Sequence, residues 1–417
     1  MIILVIMFRR SVSVARRVVA PRLRGTHVWI QPQLLYTQWI KPRSAIRLTE
    51  PARRYTTHSS LYLRTHTDLP PQLSTMDAPY PVPGSDGFVT LSFYSFFSLQ
   101  SIQTTRSHLQ AQWEALGIVG RVYVSNEGIN AQLSVPFAKI IDLREWLEHS
   151  TVFRGRISRF NWALEHSQAF KALHVRVRPL VAAGVEVGLD VLANEPEYVE
   201  PKDWGKELDT PDALVLDMRN TYEYRVGRFD NAVCPDVDTF REELDQVRTM
   251  CSTRPRDAPI LMYCTGGIRC SVAGAVLRGD GLTNVKTLRG GVIAYGQHVR
   301  KTQETQESRF RGKNFTFDKR RGEVVTSEIL AKCDQCGSEC DTFVNCAHTS
   351  CNLLFIQCPG CAEKHKKTCG RELCVERAQL SHEERVKQKL PPQWSHRERV
   401  RPELVFRDGV AHNPLDN

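Results

Sequence analysis

Cys264 ends the apolar run Ile260, Leu261, Met262, Tyr263 and opens the loop Thr265, Gly266, Gly267, Ile268, Arg269, ahead of a small-residue stretch of helical character. Where a strand hands over to a helix, unpaired amide N–H groups converge and the helix dipole adds partial positive charge. A cysteine placed there has a lowered pKa and is nucleophilic. Gly266 and Gly267 lack the Cβ atoms that would keep amides away from one sulfur, and Arg269 supplies a fixed positive charge. Packing alone accounts for a small buried cysteine at a strand end. It does not account for a cysteine, two glycines and an arginine within six positions. Cys264 is therefore the predicted catalytic residue, as a thiolate or a persulfide bonded to it, with Thr265, Gly266, Gly267, Ile268 and Arg269 as its loop.

Cys270 follows the loop directly. It is a candidate resolving thiol, able to discharge a persulfide by forming a disulfide, or a core residue at the start of the helix. Cysteine phosphatases also close a loop on an arginine, with one residue more between the two than the four found here. The shorter loop suits a sulfur better than a phosphoryl group. At this point the chain resembles the rhodanese superfamily, whose loop carries sulfur as a cysteine persulfide. Leu214 to Arg219, Glu223, Tyr224, Gly227 and Ala232 upstream, and Leu288, Gly290, Gly291 and Tyr295 downstream, are similar to that family's flanking motifs. Asp217, Gly290 and Gly291 read more simply as a turn-capping carboxylate and a tight bend, and Arg219 with Glu223 as an ion pair.

These residues need a scaffold, and the chain is long enough for two or three domains. Alternating residues 88–93, a helical stretch through Leu109, Trp113 and Leu116, strands at 122–124 and 127–135, a helix at 138–147 and a strand at 173–177 follow in order. That order is a split βαβ, ferredoxin-like unit. The predicted fold is α/β: a leader and linker over 1–80, an α+β ferredoxin-like domain over 86–185, a doubly wound parallel rhodanese sheet over 205–303, a Cys-rich lobe over 325–376 and a charged extension over 377–417.

Glu127 to Ala131, Ser92 to Tyr94, Asp236 to Arg241, Gly312 to Phe315 and the cysteine pattern of the tail resemble the bacterial rhodanese-domain tRNA uridine hydroxylases. The resemblance implies hydroxylation of the wobble uridine, with tRNA as partner and an ancestral sulfurtransferase site reused. Ser271 and Val272 depart from the bacterial Glu-Lys. Two other readings stand beside it: sulfur transfer from thiosulfate or a persulfide, with a small thiol or sulfur donor as partner, and a non-catalytic RNA-binding module.

The formal charge of +10 is located entirely in residues 1–76, which hold twelve Lys or Arg against Glu50 and Asp68. Net charge therefore gives no argument that the remainder binds nucleic acid. The leader has no acid before Glu50, and Arg53-Arg54-Tyr55 resembles a matrix-peptidase site, which predicts the mitochondrial matrix. A start at Met76 would instead give a cytoplasmic protein. No stretch is long and apolar enough to predict a membrane partner.

Nine of the thirteen cysteines lie between Cys333 and Cys374. With no secretory signal this predicts reduced thiols or metal rather than a disulfide framework. Cys333-x2-Cys336 and Cys358-x2-Cys361 have the spacing of a structural zinc ribbon. Cys340, Cys346, Cys351, Cys369, Cys374, His348 and His365 exceed what one ion needs, leaving open a second ion, another ligand set, or a metal-free lobe of thiols or disulfides. No other cofactor is predicted.

Overall fold

A computed structural model describes residues 87–412, apart from 158–159, 166, 180–190, 304, 306, 382, 385–393, 396 and 399–400. The leader, its arginine pair and Met76 lie outside the described residues. Among those described, no helix is long and apolar enough to cross a membrane.

The first domain is built on β1 (Phe88–Phe96), α1 (Ile102–Ala115), β2 (Val119–Ser125), β3 (Gly128–Pro136), α2 (Ile140–His149), β4 (Asn161–Glu165) and β5 (Leu173–Val177). The sheet order β4-β1-β3-β2-β5 contains the ferredoxin-like arrangement and adds a strand. The segment at 173–177, expected as the fourth strand, runs parallel to β2 at the far edge. Asn161–Glu165 takes the expected place, antiparallel to β1. Both helices bury apolar stripes on the sheet: Leu109 and Trp113 from α1, and Leu143 and Leu147 from α2, meet Val122, Ile129 and Leu133. Their spacing of four is the helical one.

The second domain carries β6 (Glu197–Val199), α3 (Pro201–Leu208), β7 (Leu214–Asp217), α4 (Thr221–Val226), β8 (Gly227–Phe229), α5 (Phe240–Cys251), β9 (Ile260–Tyr263), α6 (Ile268–Gly279), β10 (Val285–Leu288) and α7 (Gly291–Thr302). Strands β6-β10-β9-β7 form an all-parallel sheet. Its two faces bury different layers. Val215, Leu261 and Tyr263 face Trp204, Val292 and Tyr295, whereas Leu216, Ile260 and Met262 face Leu244, Val247 and Ala273. Burial on both sides explains why β9 is a continuous apolar run rather than an alternating one.

Strands β11 (Phe310–Asn314) and β12 (Glu323–Val324) lead on from β8. The lobe beyond them holds the hairpin β13 (Phe343–Asn345) and β14 (Leu354–Ile356), and the short helices α8 (Pro359–Lys364) and α9 (Glu372–Arg377). Part of the charge-rich tail packs. Trp394 is buried, Ala411 donates its N–H to the Cys369 carbonyl at 3.0 Å, and Arg401 pairs with Asp236 and Asp238 ahead of α5. An indole and paired charges bring this segment back onto the body.

Candidate active site

Cys264 lies where β9 meets α6, and its sulfur is directed into the loop. Gly267 N–H donates to Sγ at 3.1 Å, and the Cys270 N–H and thiol also donate to it. Burial opposes ionisation of Cys264. The Cys270 thiol, the Arg269 charge and the two amides outweigh it, bringing the pKa down to about 6. Gly267 has φ +102°, a conformation that glycine adopts without strain, and a Cβ there would lie 2.9 Å from the Tyr94 hydroxyl.

Arg269 does not point at the sulfur. Its guanidinium grips Glu223 with Nη1 and Nη2 at 3.0 and 3.1 Å, and Nη2 also reaches Thr265 Oγ1 at 3.1 Å. Thr265 donates to Glu223 at 2.6 Å, and Asn220, the N-cap of α4, donates its N–H and side-chain amide to the same carboxylate. Burial raises the Glu223 pKa, but Arg269 and the other donors hold it below the ordinary carboxylate range. Glu223 thus fixes both ends of the loop. Its expected partner, Arg219, instead forms a buried two-pronged pair with Asp217 at 2.8 and 2.7 Å, to which Tyr263 also donates. Arg219 is tied to Asp217 by position: both sit at the end of β7, whereas Glu223 has turned with α4 toward the loop.

Gly290 and Gly291 do more than bend the chain. A Cβ on Gly291 would come within 2.4 Å of the Cys264 carbonyl, and without one the first turn of α7 abuts the loop. Val292 and Ile293 donate N–H to the carbonyls of Cys264 and Thr265 at 2.9 and 3.1 Å. Ile268 packs with Val191, Val272 and Ala275. Cys270 is fully buried, and burial first, then its contact with Cys264, raises its pKa well above the usual range.

The first domain reaches this loop through residues that sequence reasoning did not place. Asn161 of β4 donates to the Gly266 carbonyl at 3.5 Å, and the Tyr94 hydroxyl of β1 meets Ser271 Oγ at 2.9 Å. Ser92 to Tyr94 stood out in the sequence, though with no stated role. A buried carboxyl, Glu243 of α5, lies among Arg269, Asp217, Glu223 and Cys264, and burial raises its pKa well above the ordinary range.

In the lobe, the sulfurs of Cys333, Cys336, Cys358 and Cys361 lie within 4.8 Å of one another. So do those of Cys346, Cys351, Cys369 and Cys374, all buried. All thirteen cysteines are free of disulfides. A tetrahedral zinc thiolate has sulfurs roughly 3.8 Å apart, from a Zn–S distance of about 2.3 Å, so each set fits one ion. Around the second set, Trp394 Nε1 donates to Cys351 Sγ at 3.0 Å and Cys369 N–H to Cys346 Sγ at 3.5 Å, the outer contacts that thiolate ligands take. His348 and His365 belong to neither set.

Three family models match consecutive parts of the chain: a UPF0176 acylphosphatase like domain over 88–181, a rhodanese-like domain over 200–298 and a rhodanase C-terminal domain over 311–375. A protein of Enterobacter sp. (strain 638) called tRNA uridine(34) hydroxylase is 43% identical over 298 residues, covering 71% of this chain and 84% of that protein. A protein of the same name from Salmonella arizonae is 42% identical over 303 residues, covering 72% and 85%. The chain belongs to the tRNA uridine(34) hydroxylase family.

Proposed function

We propose that this protein hydroxylates the wobble uridine of tRNA and that Cys264 is its reacting thiolate, held by the loop Thr265 to Arg269. The observation that carries the reading is the Cys264 sulfur itself: buried, yet brought down to about 6 by amides, a thiol and an arginine. A family built to act on uridine(34) supplies the substrate, and the first domain, pressed on the loop through Tyr94 and Asn161, is suited to present it. Cys270 has the proximity a resolving thiol needs, and as a buried neutral thiol it donates to Cys264. The test is nucleoside mass spectrometry of tRNA from cells lacking the protein. Loss of 5-hydroxyuridine-derived nucleosides, restored by the wild type and not by Cys264→Ser, is expected; unchanged nucleosides would remove the reading.

Sulfur transfer, with a small thiol or sulfur donor, would use the same cysteine, but the family match favours hydroxylation. A non-catalytic RNA-binding module has no use for an ionised thiol. Structural zinc suits both tetrathiolate sets, the first through Cys333, Cys336, Cys358 and Cys361. Bound there, it would supply folding free energy to a lobe with a small apolar core. The arginine-rich leader, with no acid before Glu50, supports delivery to the mitochondrial matrix. N-terminal sequencing of the mature protein tests this.

A further inference from the structure

Beside Gly266 a cavity of about 240 Å³ opens between the two domains. Tyr94 and Phe96 of β1 line one wall; Tyr198 of β6 and Arg289, which follows β10, line the other. Asn161 stands where the cavity meets the loop. The wall is braced from below. The hydroxyls of Tyr94 and Tyr198 both lie 2.9 Å from Ser271 Oγ, which is also 3.3 Å from the Gly267 carbonyl. A carbonyl only accepts, so Ser271 donates its single proton to Gly267 and accepts from Tyr94, while Tyr198 shares its own proton between Ser271 and the Glu195 carboxylate. Two rings from different domains are thereby fixed, with hydroxyl lone pairs left over. Burial keeps both phenols neutral, with Tyr198 raised to about 12 and Tyr94 higher.

We propose that this cavity is the seat of the target base: the uracil ring packs against Tyr94, Phe96 and Tyr198, and the Asn161 side chain reads its edge. The proposal rests on the wobble-uridine reading and names the residues that would select the base. A ring held between aromatic walls gains stacking energy irrespective of sequence, so selection needs a polar reader. The amide of Asn161 donates to Gly266 through Nδ2, leaving Oδ1 as acceptor and a second N–H as donor. Uracil offers N3–H beside a carbonyl, the complement of that pair, whereas cytosine offers an acceptor at N3. Arg289 lies over the Tyr198 ring at 4.6 Å and is 38% exposed, with its Nε paired to Glu200 at 2.6 Å; a phosphate flanking the base would compete with Glu200 for this guanidinium.

The test uses the full chain and an anticodon stem-loop carrying 4-thiouridine at the wobble position, photo-crosslinked and mapped by peptide mass spectrometry, alongside hydroxylation of the unmodified stem-loop. Crosslinks to Tyr94, Phe96, Asn161 or Tyr198 are expected, and Asn161→Ala is expected to raise KM at least about tenfold while leaving the Cys264 pKa in place. A protein that hydroxylates but crosslinks elsewhere, such as to the Cys-rich lobe, overturns the seat and keeps the activity. One that crosslinks at these residues without hydroxylating supports the seat and removes the activity.

Discussion

Two regions of this molecule collect cysteine sulfur and treat it in opposite ways. At the loop a single sulfur faces two amide N–H groups and a neutral thiol, with Arg269 close behind. In the lobe, sulfurs face one another in two sets of four. The donors around each sulfur, rather than the cysteine itself, decide its chemistry. Amide dipoles and a guanidinium stabilise a lone thiolate and leave it reactive. A tetrathiolate needs a cation to hold its charges together and becomes inert once it has one.

The two kinds of sulfur separate most widely when each is replaced by serine. Cys264→Ser should lower hydroxylation at least about a thousandfold, the scale on which nucleophile removal acts, with both zinc equivalents retained. Cys351→Ser should do the reverse: one of two zinc equivalents is lost by elemental analysis, and the lobe opens to proteolysis. Retention of both ions after that change would contradict the second set.

A smaller effect is expected at Glu223. Glu223→Gln leaves Arg269 buried beside a neutral amide, and breaking a buried pair costs about 3–5 kcal/mol. Denaturant unfolding measures that loss, and a cost near zero would mean the carboxylate does not hold the loop.

The last effect is one of slope. Cys264 has a depressed pKa in the fold, about 6 against an ordinary 9. Between those values the unfolded chain binds a proton that the folded chain has given up. Stability from this group is therefore fully present above pH 9, falls as pH is lowered toward 6, and is gone below it. The difference spans on the order of 4 kcal/mol. Wild type minus Cys264→Ser, compared by unfolding across this window, isolates it. Equal slopes would show an unperturbed thiol.

What the sequence displayed was whatever is contiguous. Cys264 to Cys270 sit side by side, so a strand end, two glycines and a helix start state the loop's chemistry directly. The parts that steady it are distant: Glu223 is 46 positions from Arg269, Asn161 105 from Gly266, and Tyr94 177 from Ser271. No local pattern marks such pairs, and proximity in sequence suggested Arg219 as the partner of Glu223. Strand β4 escaped for the same reason. Asn161 and Glu165 bracket a short edge strand that only pairing with β1 defines. The zinc-ribbon spacing was visible in the two Cys-x2-Cys pairs. Cys346-x4-Cys351 and Cys369-x4-Cys374 repeat each other too, but the fold was needed to bring those four sulfurs together.

One titration bears on the whole account. The ultraviolet absorbance of thiolate, followed with pH in the zinc-loaded wild type and in Cys264→Ser, gives the ionisation of this single sulfur by difference. A midpoint near 6 is the predicted result; a midpoint at or above the ordinary cysteine value of 9 would contradict it.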